Sequence, residues 1–182
     1  SITAEDSALR GATSITSRNE PPGRRTQTVT DAFAYSCNTY FAELGVELGR
    51  DALVATSEAF GLTEAPPFDL DTARGQLAGT EGFLQSDAGL AATAFGQGEL
   101  QLSPLHLALV VAGVANDGIV PRPRVLATTE VETWRRAMSP ETARAAASMM
   151  VAGVERGWAS PAAIAGVEVG GKTGSAEFSD DA

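Results

Sequence analysis

Gly166-Val167-Glu168-Val169-Gly170-Gly171-Lys172-Thr173-Gly174-Ser175 admits two readings, and the choice between them decides the fold. Its first eight residues satisfy G-x-x-x-x-G-K-[ST], the phosphate-binding loop of nucleotide-binding α/β proteins. Such a loop needs a buried strand before the first glycine and a helix after the Thr, because the helix N-terminus helps to hold the phosphates. Ser160-Pro161-Ala162-Ala163-Ile164-Ala165, just upstream, is a poor strand, and Gly174 is a poor helix start. The other reading is a single strand from Val167 to Phe178, with glycines where a ligand or another backbone can approach closely. That reading is adopted, and the nucleotide-binding pattern is treated as coincidence.

Lys172 is the one lysine in the chain; every other basic residue is arginine. Chemistry that needs a side-chain primary amine therefore falls to Lys172 or to a group outside these 182 residues. A lone cysteine, Cys37, excludes an intrachain disulfide and a cysteine-rich metal site. A lone histidine, His106, argues against a His-based zinc site or a Ser-His-Asp triad within the chain, and its helical setting predicts a packing role. The net charge of -10 disfavours a nucleic-acid partner, since phosphate binding needs a basic face. Hydrophobic residues at 43% suit a globular domain, and no apolar run approaches a bilayer's thickness.

Outward from the Lys172 stretch, local signals predict mostly helix. Residues 1–28 read as loop around Arg18-Asn19-Glu20-Pro21-Pro22-Gly23. Thr30 is expected to cap a short helix starting at Asp31. A second helix is expected from Cys37 to Leu48, with Phe41, Leu44 and Leu48 on one face and Gly49 ending it. Asp51–Phe60 closed by Gly61, and Ser86–Phe95, read as further helices on either side of a Pro, Gly and Asp-rich loop. Ser103-Pro104 opens the clearest helix, with Ser at the N-cap, Pro at the first turn, and Leu105, Leu109 and Ala112 at helical spacing. Arg124–Thr129 reads as a strand, and Ser139-Pro140-Glu141 starts a helix continuing to about Gly153.

Two tripeptides stand out: Ser36-Cys37-Asn38, at a junction of two helices, and Lys172-Thr173-Gly174. Taken alone, Ser36 and Asn38 read as helix caps and Lys172 as a surface charge. Their flanks change the reading. Thr30-Asp31-Ala32-Phe33-Ala34-Tyr35-Ser36-Cys37-Asn38-Thr39-Tyr40-Phe41 closely resembles the S-x-N region of penicillin-binding protein transpeptidase domains. Phe95-Gly96-Gln97-Gly98-Glu99-Leu100-Gln101-Leu102-Ser103-Pro104-Leu105 is similar to the family's Gly-Gln-Gly segment and the helix after it. Ser139-Pro140-Glu141-Thr142-Ala143 and Gly171-Lys172-Thr173-Gly174-Ser175-Ala176-Glu177 complete the series, in family order, over residues 28–178. S-x-x-K, S-D-N and K-T-G form the motif set of this serine β-lactamase-like superfamily.

The resemblance implies an α+β, mostly helical fold: the central part of a β-lactamase/transpeptidase-like domain, with at least one sheet strand at about 167–178. It implies that residues 1–182 are a partial domain, lacking N-terminal strands, the nucleophile helix and C-terminal strands, because no S-x-x-K is present and Val169 stands three before the only lysine. It implies catalytic roles for Ser36, Asn38 and Lys172. Ser36 would pass a proton toward the leaving amine, Asn38 would hold a substrate amide, and Lys172 would supply positive charge. Thr173 and Ser175 hydroxyls would bind a substrate carboxylate, Gly174 would admit the substrate, and the Ser175 N–H would face the oxyanion. The family more often has threonine where Ser175 stands.

The activity so implied is that of a peptidoglycan D,D-transpeptidase acting on D-Ala-D-Ala stem peptides and acylated by β-lactams, inactive as this chain alone. No cofactor or metal is implied. Implied partners are the stem peptide, β-lactams and cell-wall or divisome proteins. The location would be the outer side of a bacterial inner membrane, with any anchor outside this chain. A β-lactam sensor, a serine β-lactamase and a catalytically dead scaffold share the motifs and stay open as alternatives.

Overall fold

The computed structural model describes residues 2–3 and 26–175. The elements, in order, are β1 (Ile2–Thr3), β2 (Thr26–Gln27), α1 (Val29–Ala34), α2 (Asn38–Leu48), α3 (Arg50–Ala59), α4 (Asp87–Ala94), α5 (Pro104–Ala115), β3 (Ile119–Pro121), β4 (Thr133–Arg136) and α6 (Pro140–Arg156). Helices dominate, and the strands pair as two short antiparallel ribbons, β1 with β2 and β3 with β4. The mostly helical α+β class is as expected. Within the 1–28 segment expected to be loop, β1 and β2 pair as strands instead; the rest of residues 1–25, and residues 176–178, lie outside the described residues.

The chain forms two compact units. The first holds the described residues up to Arg50, Gly82–Gly98, and those from Ser148 onward. Within it, α2 packs on α4 through small side chains: α2 buries Thr39, Ala42 and Gly45, and a Cβ on Gly45 would collide with that of Ala94. This corrects the expected face. Leu48 is 62% exposed, because the helices approach too closely for a leucine seam. Helix α1 is capped by Thr28, whose Oγ1 accepts from the Asp31 N–H at 3.2 Å, two residues earlier than the expected Thr30 cap. Ser86 caps α4 by accepting from Gly89 N–H. Gly49, at φ 83, ends α2.

The second unit spans Asp51–Glu81 and Glu99–Ala147. Ser103 caps α5 as expected, and His106 returns the bond to form a capping box in which imidazole takes the usual glutamate role. His106 is 1% exposed. Its Nε2 lies 2.9 Å from the Glu64 carbonyl oxygen, which only accepts, so Nε2 carries the proton and Nδ1 accepts from the Ser103 hydroxyl at 2.8 Å. Both ring nitrogens are thus committed to structure. Trp134 is structural too, stacked with the Arg135 guanidinium and lying where a Cβ on Gly61 would fall.

Two strands differ from expectation. Arg124–Thr129 forms turns rather than a strand. Asp117 (φ 48) and Gly118 (φ 83) reverse the chain immediately after α5, so pairing starts at Ile119, opposite Arg136. Pro121 and Pro123 then remove backbone donors, and the ribbon ends. The 167–178 strand is not formed among the described residues. Val167 makes one bridge, to Ile164, and residues 168–175 run without a ladder partner. A strand exists only where a neighbour takes its backbone hydrogen bonds, whatever the alternation of its side chains.

Candidate active site

The site is built within the first unit, on the junction of α1 and α2. Ala32 and Phe33 carbonyls accept from the Cys37 and Ser36 N–H groups at 2.8 and 3.1 Å, which folds the chain tightly back after α1. To make this turn Ser36 adopts φ 54, a left-handed conformation that is uncommon for a residue with a Cβ. Strain of this kind, roughly 1–2 kcal/mol, persists where the surroundings over-determine it. Cys37 is the N-cap of α2 and makes no side-chain cap bond, so the cap reading of Ser36 and Asn38 fails. Asn38 is the first residue of α2 and half-buried. The intervening Cys37 is 1% exposed, a packed thiol beside the Thr39 hydroxyl at 3.3 Å.

Lys172, 136 residues further on, donates from Nζ to the Ser36 Oγ at 2.6 Å and to the Thr173 carbonyl at 2.9 Å. Its ammonium also lies 5.7 Å from the centre of the Phe33 ring. Although the residue is exposed along its length, partial burial of its tip pushes its pKa below the ordinary lysine value. With the ammonium donating to Ser36 Oγ, the Ser36 hydroxyl proton is free to point at a third group. That is the arrangement of a relay: a hydroxyl that can give up its proton, polarised by a cation whose own proton is loosened.

Thr173 is half-buried, while Gly174 and Ser175 are exposed. A Cβ on Gly174 would meet nothing within 4 Å, so the segment offers open backbone. Gln97, whose role the sequence left unread, holds the far end by donating from Nε2 to the Ser175 carbonyl at 3.2 Å. The signal was present in Gly96-Gln97-Gly98: both glycines take positive φ, 89 and 69, which sets Gln97 on a sharp turn. Helix α1 is held from its other side by Arg156, whose guanidinium donates to the buried Asp31 carboxylate at 2.6 Å. Trp158, 52% exposed, meets Tyr35 edge-to-face at 6.5 Å.

The structure thus brings Ser36 and Lys172 into direct contact, with Thr173 bonded to the same ammonium and Asn38 two residues from Ser36. No hydrogen bond joins Asn38 to Lys172. The nucleotide-binding reading also fails on geometry. Among the described residues no strand leads into Gly166, and neither Gly174 nor Ser175 after Thr173 is helical. Among the described residues, no group of three or more His, Cys, Asp or Glu gathers as a metal site. No helix among them is long and apolar enough to cross a membrane.

The family model for the penicillin binding protein transpeptidase domain matches residues 1–182. The peptidoglycan D,D-transpeptidase PbpA of Mycolicibacterium smegmatis is 40% identical over 168 residues, covering 86% of this chain and 33% of the relative. Penicillin-binding protein 3 of Bacillus subtilis is 31% identical over 153 residues, covering 81% of this chain and 23% of that protein. Among solved structures, the ceftriaxone acyl-enzyme complex of penicillin-binding protein A from M. tuberculosis superposes with a TM-score of 0.84 at 33% identity, over 95% of this chain and 41% of the other. Its imipenem acyl-enzyme complex gives a TM-score of 0.82. The chain spans about a third of the length of the PbpA relatives.

Proposed function

Because the chain belongs to the penicillin-binding protein transpeptidase family, we propose that it is the central part of a peptidoglycan D,D-transpeptidase, and that the intact protein cross-links stem peptides by serine acyl transfer and is acylated by β-lactams. The observation that carries this reading is the 2.6 Å bond between Lys172 Nζ and Ser36 Oγ, which joins the S-x-N and K-T-G residues across the chain.

In this reading a nucleophilic serine, supplied by an S-x-x-K motif outside these 182 residues, adds to the carbonyl of the D-Ala-D-Ala bond. The tetrahedral oxyanion takes a hydrogen bond from the Ser175 N–H. As the C–N bond breaks, the electron pair leaves with the amine of the terminal D-Ala. Ser36 gives that nitrogen a proton and is resupplied from the nucleophile's proton through the lysine ammoniums on either side of it. Lys172 and the Thr173 and Ser175 hydroxyls hold the terminal carboxylate, and Asn38 holds a backbone amide of the stem peptide. An amine of a second stem then attacks the ester, forming the cross-link and regenerating the serine. A β-lactam enters by the same first step, its ring nitrogen being the leaving amine. The work is done on the outer side of a bacterial inner membrane, where the stem peptides are.

Labelling with a fluorescent penicillin tests this. The intact protein should label covalently. Lys172→Ala in it should slow acylation by about 10²–10⁴-fold, the range expected for loss of a proton-relay partner. This chain alone should not label. Covalent labelling of the isolated chain would sink the external-nucleophile argument, and an unchanged rate in Lys172→Ala would refute the role given to that lysine.

A further inference from the structure

Ser36 and Lys172 lie on different segments, and something must fix their separation. The C-terminal end of α6 touches both. On one side, the Trp158 N–H donates to the Ala34 carbonyl at 3.1 Å, two residues before Ser36. A Cβ on Gly157 would lie 2.7 Å from the Ala34 carbonyl carbon and closer still to its oxygen. On the other side, the Gly171 N–H donates to the Met150 carbonyl at 3.0 Å, one residue before Lys172. A Cβ on Gly153 would fall 2.8 Å from the Gly171 carbonyl oxygen.

Glycine inside a helix weakens it relative to alanine, and α6 is otherwise rich in alanine, so Gly153 calls for a reason. Neither Gly153 nor Gly157 has a positive φ. Close approach of another backbone is what remains for both. Gly170 and Gly171 complete the contact from the facing segment: added Cβ atoms there would press on Met150 Cβ at 3.1 Å and Val154 Cγ2 at 3.3 Å. Glycines thus meet on both sides of this seam, and the two segments that carry the reacting side chains are docked on one helix end by paired backbone hydrogen bonds.

We propose that Gly153 and Gly157 are positioning residues, which make the end of α6 a platform that sets the Ser36–Lys172 distance. The assignment rests on the transpeptidase reading, since it concerns the same pair. A Cβ at position 153 would sit about 0.6 Å inside ordinary contact, so the Gly171 segment must retreat by a few tenths of an ångström. Misplacement by 1 Å can cost about 10²-fold in rate, so roughly tenfold is expected here.

The test uses the intact protein and a fluorescent penicillin. Gly153→Ala should remain folded by thermal melting and acylate about tenfold more slowly. Lys172 would also leave its partly desolvated place, its pKa would rise toward the ordinary value, and the alkaline limb of the rate profile would move to higher pH. Gly157→Ala should do the same more strongly. A folded Gly153→Ala protein with an unchanged rate, or with a slower rate and an unmoved alkaline limb, overturns the proposal. If neither variant folds, amide hydrogen exchange on the wild-type protein decides: protection at both the Gly171 and Trp158 N–H supports the platform, and free exchange at either overturns it. Failure of the wild-type protein to label would instead strike the transpeptidase reading and leave the exchange result to judge the docking.

Discussion

The left-handed backbone at Ser36 gives a prediction whose sign is unusual. In an ordinary conformation alanine is more stable than glycine by about 0.5–1 kcal/mol, because glycine loses more freedom on folding. At φ 54 a Cβ costs roughly 1–2 kcal/mol instead. Ser36→Ala and Ser36→Gly both lose the hydrogen bond from Lys172, so that loss cancels when the two are compared. What remains is the strain less the entropy, which leaves Ser36→Gly more stable than Ser36→Ala by about 0.5–1 kcal/mol. Thermal melting of the intact protein should place the glycine variant roughly 1–4 °C above the alanine variant, taking a domain of 150–250 residues as the scale. Both variants lack the hydroxyl, so both should acylate about 10²–10⁴-fold more slowly if Ser36 relays the proton. An alanine variant as stable as the glycine one would show that the turn does not hold Ser36 in this conformation. The strain would then have no part in aiming the hydroxyl.

Two further outcomes are expected. Arg156→Met keeps the aliphatic stem but leaves the Asp31 carboxylate without its guanidinium; Asp31 is 10% and Arg156 45% exposed, so the loss should be about 1–2 kcal/mol, between the values for surface and buried pairs, read as a lower urea midpoint. A change of only a few tenths would mean the pair does not anchor α1. Glu99 accepts from the Thr80 hydroxyl at 2.6 Å and from the Thr80 and Gly79 N–H groups at 2.7 Å each, and these bonds, the hydroxyl first, hold its pKa below the ordinary glutamate value of 4.5. The folded state therefore binds fewer protons than the unfolded one just below pH 4.5, and the stability this carboxylate contributes is complete above that pH and lost as pH falls through its folded pKa. Urea midpoints taken down through this range should fall more steeply for the native protein than for Glu99→Gln, and parallel curves would remove Glu99 from the account.

The helices were legible because their ends are written locally. Ser103-Pro104 and Ser86 place a cap oxygen where orphan N–H groups need it, while Gly49 and Gly61 supply positive φ where helices stop. Such signals act over three or four residues and survive any context. Which face a helix buries is a different matter, and here the local reading of α2 failed. Leu44 and Leu48 form a reasonable apolar stripe, yet Ala42 and Gly45 are what α4 admits at close range. Strands were read less well for the same reason. Val125 and Leu126 have strand-forming side chains, but they are 56% and 63% exposed, so no facing layer among the described residues uses them. Ile119–Pro121 pairs with Thr133–Arg136 because the turn at Asp117-Gly118 points it there.

The contact at the candidate site joins two residues that the sequence singles out, and the supports of that contact were not legible. Ser36 and Lys172 were identified from their flanks, and their contact follows from the fold. Arg156, Gly153 and Gly157 carry no chemistry of their own, so nothing in their identity marks them, while Gln97 is marked only by the positive-φ glycines on either side of it. The Gly170-Gly171 pair is the instructive case. In the phosphate-loop pattern these glycines would free backbone N–H groups to face an anion. Here the Gly171 N–H is already bonded to Met150, and a Cβ on Gly170 would press into the same helix turn. An N–H committed to a helix carbonyl is not available to a phosphate. The bareness of the backbone, which made the motif look like a ligand cradle, is what lets the segment lie flat on α6 and deliver Lys172 to Ser36. The same glycines therefore argue against nucleotide chemistry and for a rigidly held lysine, and the Gly171 exchange measurement bears on both.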